Sequence, residues 1–197
     1  MELSKALTLA SNSPRRKEIL SMAGFSFDIR VIPTDENFPE DMASELVPVY
    51  LAEAKATCFE AIIQDEIILC ADTVVIVSDS SGQKSLLNKP QNAEEAIKML
   101  KSLSNRTHQV VTGVCLFSKD EKISFSDTAL VSFKKFRDCE INHDISHYQP
   151  FDKAGSYGVQ DFIGMIGIQK IEGSFYTIMG LPIHKVYENL QKYIIRS

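Results

Sequence analysis

The chain has 197 residues, of which 44% are hydrophobic and 24% charged, the proportions of a globular protein long enough to bury a sizeable core without a disulfide or a structural metal. A net charge of -5 and a pI near 5.4 exclude a protein built mainly to hold duplex nucleic acid, which needs broad basic surface to displace counterions; a small anion held by a few well-placed cations remains compatible. No apolar run approaches the roughly 20 residues that span a bilayer, and the N-terminus lacks the cationic start and apolar stretch of a secretory signal, so a cytoplasmic protein without membrane attachment is expected.

Leu7 to Ala10 reads as a short apolar strand. Ser11-Asn12-Ser13-Pro14 then leads into a helical pattern with Ile19, Leu20 and Ala23 on one side. Ser13 suits the N-cap, Pro14 the first helical position, and Gly24 a left-handed close. Arg16 stands where a capping box would carry an acid, which is unfavourable beside the positive helix end unless an anion arrives. Phe25, Phe27, Ile29 and Val31 alternate as a second strand ends at Pro33, and a polar loop runs to Asp41. Val47 to Gln64 predicts a helix with Leu51, Ala54, Cys58 and Ile62 on its buried side. Ile67 to Val77 is a β-branched run typical of a central strand buried on both faces, interrupted by Asp72.

A turn at Ser78 to Gln83 precedes an amphipathic helix over Asn92 to Ser104. Val110 to Phe117 and Ile123 to Phe133 form an antiparallel pair around Lys119-Asp120-Glu121. A shorter helix over Ile141 to Tyr148, a loop from Pro150 to Gln160, a strand near Ile166 to Glu172 and a helix from about Pro182 to Ile195 complete the chain. Alternating strands and helices with hairpins predict an α/β fold, a mixed sheet with helices on its faces, in a single domain over 1–197. Cys58, Cys70, Cys115 and Cys139 include no C-x-x-C pair and read as reduced packing residues.

Four constellations carry chemistry. Ser11-Asn12-Ser13-Pro14-Arg15-Arg16, at a strand-to-helix junction, combines free backbone N–H groups, hydroxyls and guanidinium groups suited to a polyphosphate, without a P-loop pattern. Asp72-Thr73 interrupts the most apolar strand. A carboxylate there needs a metal, a cation or a proton, so Asp72 is a metal ligand, a general base or half of a structural salt bridge, and Glu36 is a candidate to share an ion. Lys55 and Lys89 are further cations. Asp152 to Gln160 is a loop of charges, glycines and hydroxyls in which backbone approaches a ligand closely and Gln160 is suited to pair with a base edge. His143 and His147 stand at i and i+4 as in zinc-protease helices, but with aspartate in place of glutamate and no evident third ligand they read as a solvated helix face.

LASNSPRRKEIL, ADTVV, NKP, HQVVTGV, DKAGSYGVQ and EGSFYTIMGLPI follow one another in the order seen in Maf proteins, and in this the whole chain resembles that family. The resemblance implies an elongated mixed β-sheet flanked by helices, like the inosine triphosphate pyrophosphatases, with a cleft between two lobes, usually as a homodimer. It implies hydrolysis of a nucleoside triphosphate to monophosphate and pyrophosphate with a divalent cation, magnesium or manganese. By motif, Asp72 resembles the general base and, with Glu36, a metal partner. Arg15, Arg16, Lys55 and Lys89 resemble phosphate ligands, with Ser11 and Ser13 in the same loop, while Arg15, Thr73 and Gln160 match positions that set base preference. The glutamine-bearing loop is similar to the branch acting on dTTP, UTP and modified pyrimidine nucleotides, in a house-cleaning role. The alternatives are a 7-methyl-GTP pyrophosphatase and a nucleotide-binding regulator of cell division or septum formation. Asn88 and Thr177 depart from residues frequent in the family, glycine and asparagine, without touching a proposed catalytic group.

Overall fold

Strands β1 (Ala6–Leu9), β2 (Asp28–Ile29), β3 (Glu66–Ser78), β4 (Lys84–Leu87), β5 (Thr107–Phe117), β6 (Lys122–Phe133) and β7 (Ile168–Glu172) join in a seven-stranded mixed sheet ordered β2-β1-β3-β5-β6-β7, with β4 paired to β3 off this path. The helices are α1 (Pro14–Met22), α2 (Val47–Thr57), α3 (Ala93–Leu103), α4 (Asp138–Tyr148), α5 (Phe162–Gly167), α6 (Phe175–Ile178) and α7 (Ile183–Leu190). This is the α/β architecture that the alternation of patterns predicts. The computed structural model describes residues 1–79 and 81–195, so the expected turn at Ser78 to Gln83 includes one position, Ser80, outside the described residues.

The chain forms two compact units, the first from Met1–Asp72, Thr112–Asp127 and the segment from Gly180 onward, the second from Thr73–Val111 and Thr128–Met179. In the first, β1 runs parallel to both β2 and β3, with Leu9 opposite Ile29 and Leu69. Its core gathers Ala10, Ala52, Ala56, Phe59, Ile63, Ile68, Cys70 and Cys115. In the second, β4 lies antiparallel to β3 and β7 antiparallel to β6. Val75, Leu100, Val110, Phe133, Ile141 and Ile163 pack together there. Each such fully buried large side chain contributes about 1.5–3 kcal/mol of transfer free energy.

The second predicted strand shrinks to Asp28–Ile29, and Ile29 and Val31 are exposed. Alternation over Phe25 to Val31 promises a buried face, but β2 is the sheet's edge and only Phe25 turns into the core. Helix α2 ends at Thr57, short of the predicted Gln64, and its buried side is Leu51, Ala52 and Ala56, followed by Phe59 and Ile63. Cys58 and Ile62 are exposed; the chain leaves the helix in tight turns at Phe59 and Glu60, which rotates the predicted phase by one residue. Cys139 is exposed as well, so packing accounts only for Cys70 and Cys115, and all four thiols are free.

Helix α2 carries Lys55 and is pressed against β5 at Gly113, where a Cβ would lie 2.3 Å from the Pro48 backbone. Only glycine permits that approach. The Asn92 side chain caps α3, accepting from Glu95 N–H at 2.9 Å. Gly24, at φ +79, follows α1, and Phe25 N–H donates to Leu20 O at 3.2 Å as expected of a left-handed helix close. Helices α5 and α6 and strand β4 have no counterpart in the periodicity, being short segments without room for a repeat. The final helix stops at Leu190, before the expected Ile195.

Candidate active site

In the first unit β1 stops at Leu9, and Ala10 N–H still donates to Leu69 O at 2.9 Å, which sets Ser11 at the carboxyl end of β1 beside the stretch of β3 leading to Asp72. Ligands of open α/β sheets gather at such strand ends. Ser11 is buried, and its Oγ accepts from Ser13 N–H at 3.2 Å and from Arg16 Nη1 at 3.1 Å. Arg16 Nε donates to Gly180 O at 2.8 Å, so the guanidinium is fixed at both edges. Desolvation lowers the Arg16 pKa from its ordinary value, and the Asp72 carboxylate opposes that shift; an arginine stays charged throughout. Ser13 takes the N-cap position, but its side chain makes no capping bond and the first turn of α1 holds no acid. Concentrated positive charge at a helix start with no acid of its own suits an incoming anion. Arg15, next along the helix, is half-buried.

On β3, residues Glu66 to Ala71 and Val74 to Val77 are buried, and Asp72-Thr73 are the two half-buried interruptions. Lys55 Nζ meets Asp72 Oδ1 at 2.6 Å and Glu36 Oε1 at 3.0 Å. Asp72 and Lys55 are mostly covered, with side-chain exposures of 15% and 18%, whereas Glu36 is 55% exposed. The acid in the apolar strand is thus neutralised by a lysine one helix away, the salt-bridge arrangement among the readings of Asp72. The same geometry brings two carboxylate oxygens onto one cationic position. Two carboxylates around one point suit a hard divalent ion that completes its shell with phosphate oxygens and water. Among the described residues, no group of three or more His, Cys, Asp or Glu side chains is arranged to hold a metal ion.

The second unit holds Thr73, Lys89 and Gln160. Lys89 is exposed beside the buried Pro90. Its neighbour Asn88 accepts at its carbonyl from Gly155 N–H at 3.1 Å, which ties this segment to the loop that ends in Gln160. The loop consists of tight helical turns at Pro150–Asp152 and Ala154–Ser156. Lys153 Nζ pairs with Asp152 Oδ1 at 2.7 Å and Asp161 Oδ2 at 3.3 Å, and a Cβ on Gly158 would sit 2.3 Å from that same Asp161 oxygen. Gln160 is half-buried, and its Oε1 is shielded from solvent with no hydrogen-bond partner among the described residues.

Two polar residues around this loop, His108 and Asp144, escape sequence reasoning. His108 Nε2 lies 2.8 Å from Tyr157 Oη, both buried, and Asp144 Oδ1 accepts from Ile163 N–H at 3.1 Å. Burial pushes the His108 pKa down to about 3 and the Tyr157 pKa up. Nothing local distinguishes them: His108 looks like any polar residue entering a strand, and Asp144 sits between the exposed His143 and His147. Those two histidines stack, with ring centroids 4.2 Å apart, and His147 Nδ1 is 2.9 Å from His143 O.

The family model for Maf-like proteins matches residues 6–193. Among similar proteins, one from Parabacteroides distasonis named dTTP/UTP pyrophosphatase is 44% identical over 189 residues, covering 95% of each chain. One of the same name from Porphyromonas gingivalis is 46% identical over 191 residues, covering 95% of this chain and 94% of its own. A third from Bacteroides thetaiotaomicron, also so named, is 45% identical over 188 residues, covering 94% and 95%. A match that begins with β1 and runs through α7 takes in every candidate residue in both units, and the chain belongs to the Maf-like protein family.

Proposed function

We propose that this chain hydrolyses dTTP and UTP, and pyrimidine triphosphates modified from them, to the monophosphate and pyrophosphate. Relatives carrying that name, at 44% and 46% identity over nearly whole chains, support the substrate class. The observation that carries the chemistry is the Lys55 ammonium set between the Asp72 and Glu36 carboxylates. Phosphoryl transfer leaves little covalent work to a protein and depends on positioning and charge. Arg15, Arg16, Lys55 and Lys89 bind phosphate oxygens, with Ser11 and Ser13 shaping the loop beneath them. Triphosphate oxygens compete for Lys55, and Asp72 Oδ1 is then free to accept a proton from water. The water oxygen bonds to the α-phosphorus, the bond from that phosphorus to the bridging oxygen breaks, and the electron pair leaves with pyrophosphate.

Asp72 and Glu36 would hold the magnesium or manganese that the family resemblance implies, and such an ion, when bound, offsets phosphate charge and polarises the α-phosphoryl group. Gln160, with Thr73 and Arg15, selects the base. Uracil and thymine present an N3–H donor that an amide oxygen accepts, whereas cytosine presents a lone pair there, which the Gln160 Oε1 would repel. A buried amide oxygen with no partner among the described residues is suited to that role. A single Maf-like domain, a homodimer and a cytoplasmic setting complete the proposal. The family match over 6–193 supports the first. Among the described residues no helix is long and apolar enough to cross a membrane.

Incubation with magnesium and, separately, dTTP, UTP, CTP, ATP, GTP and 7-methyl-GTP, with all products identified, tests this. Pyrophosphate with dTMP or UMP is the expected result, and EDTA abolishes it. Orthophosphate release would move the cleaved bond. Preference for 7-methyl-GTP would replace the substrate, and tight binding of dTTP without turnover would favour a nucleotide-binding regulator.

A further inference from the structure

Gln160 is flanked in the chain by two buried polar bonds. Tyr157, three residues before it, meets His108 Nε2 at 2.8 Å, and Ile163, three residues after it, donates its N–H to Asp144 Oδ1 at 3.1 Å. His108 and Asp144 are 2% and 1% exposed. They come from different elements, β5 and α4, and belong with the loop to the same unit. Each keeps one polar atom without a hydrogen-bond partner among the described residues, His108 Nδ1 and Asp144 Oδ2. A buried atom left unsatisfied is costly, so a buried polar residue that keeps one calls for a role. An apolar residue at either place would be cheaper for stability alone. Here both roles are alike, holding the chain on either side of a single amide, one through the Tyr157 side chain and one through the Ile163 N–H.

We infer that Asp144 and the His108–Tyr157 pair are positioning residues for base selection, anchoring the chain on both sides of Gln160, at the Tyr157 side chain before it and at the Ile163 N–H after it, so that its amide is presented to the base at fixed reach. This rests on the reading of Gln160 as the base selector. Discrimination through a hydrogen bond is strong only where the site cannot relax to satisfy the wrong partner. A loop free to shift would let the amide reach cytosine by turning over, pairing its N–H with the cytosine ring nitrogen. Lys153, held by Asp152 and Asp161, restrains the loop from its exposed side, while the buried bonds set its depth.

The test measures kcat and KM for UTP and CTP in Gln160→Ala, Tyr157→Phe, Asp144→Ala and Asp144→Asn, with thermal melting of each. Gln160→Ala lowers the UTP-over-CTP ratio of kcat/KM about 10- to 100-fold, the worth of a good base contact. Tyr157→Phe and Asp144→Ala each lower that ratio about 5- to 10-fold, mainly through a raised KM for UTP with kcat little changed, as expected when a contact common to ground and transition states is lost. Asp144→Asn keeps a carbonyl acceptor for Ile163 N–H and restores the ratio. Tyr157→Phe removes one hydroxyl and keeps the ring, so it remains informative if Asp144→Ala fails to fold. Lowered melting temperatures with a wild-type ratio in Tyr157→Phe and Asp144→Ala would leave the clamps purely structural and overturn the inference. A wild-type ratio in Gln160→Ala would overturn the base reading beneath it as well.

Discussion

The two units satisfy their buried and half-buried polar groups in part by different means. In the first, charge meets charge: Lys55 with Asp72 and Glu36, and Arg30 with Glu66, whose carboxylate also accepts from Thr8 Oγ1 at 2.6 Å. In the second, charge pairs also occur, Glu140 with Lys134 and Arg137 and Lys153 with Asp152 and Asp161, but the most deeply buried groups are neutral or a single carboxyl that meets one partner: His108 with Tyr157, Ser156 Oγ with Met99 Sδ, Asp144 with a backbone N–H. An ion pair at partial exposure is worth little in itself and yields readily to a better-charged competitor. A fully buried hydrogen bond has no such competitor, and losing it strands its partner. The first arrangement suits groups that must exchange partners when a polyanion arrives, the second suits groups that must not move.

The largest break in that contrast comes at Asp72. Asp72→Ala should lower kcat at least ~10³-fold, the worth of a positioned general base, while circular dichroism and the melting temperature stay near wild type because Lys55 retains Glu36. Near-normal turnover would make the Lys55–Asp72 pair structural. Lys55→Ala should cost about 10²-fold in kcat/KM, since it removes a phosphate ligand and leaves two carboxylates facing the incoming anion. Raised salt should weaken substrate capture less in this variant than in wild type, because it screens one attractive charge fewer and also the repulsion from the two carboxylates. Equal activity in both proteins would show that the ammonium does not exchange partners.

The second unit gives a pH signature beside its kinetic one. The folded His108 excludes a proton down to about pH 3, whereas unfolded histidine takes one up near its ordinary value of 6.5. Between those values the unfolded chain binds more protons, so stability falls as pH falls, by about 1.4 kcal/mol per unit from this one group. Glu66 and Glu140 act in the same sense but lower. Glu66 is depressed below its ordinary 4.5, its desolvation being outweighed by the Thr8 and Arg30 hydrogen bonds. Glu140 is brought to about 2 chiefly by the Arg137 N–H. Their stabilisation is fully present above the ordinary carboxylate range and is lost as pH falls through the depressed values. Asp144, raised by desolvation, acts in the opposite sense and is common to wild type and variant. Denaturant titrations of wild type and His108→Gln should therefore diverge between about pH 6.5 and 4.5, with the variant flatter. Parallel curves would mean that His108 is reached by water and clamps nothing.

What the sequence made legible follows the same division. Charged groups in the wrong place announce themselves: Asp72 inside a β-branched run and Arg16 at a helix start are local anomalies, and the structure brings Lys55 and Glu36 to the one and Ser11 to the other. The order of strands and helices was equally readable wherever a segment was long enough to show a period, as over Asn92 to Ser104 and Ile67 to Val77. The phase of α2 was not, because Ala52 and Ala56 bury as well as larger residues do and carry little signal. Nor were His108 and Asp144, whose meaning depends on partners 49 and 19 residues away. A polar residue satisfied across the fold leaves no trace in its own neighbourhood.

The smallest expected effect sharpens the comparison by separating stability from position. Asn92 caps α3 through Glu95 N–H, and α3 supplies the Met99 sulfur that Ser156 Oγ meets at 3.2 Å. Asn92→Ala removes a cap worth ~1 kcal/mol, which for a chain of this length corresponds to a fall of about 2–4 °C in melting temperature. Tyr157→Phe costs about 1–3 kcal/mol, since it deletes one buried hydrogen bond and strands His108 Nε2. The two variants thus overlap in expected stability loss and differ in place, one at a helix end, the other three residues from Gln160. The cap variant should keep the wild-type UTP-over-CTP ratio because α3 still forms and Met99 still packs against the loop. A ratio that drops equally in both would show that base preference follows the general softness of the second unit, and the distinction between exchangeable charges and fixed neutral bonds would lose its functional meaning.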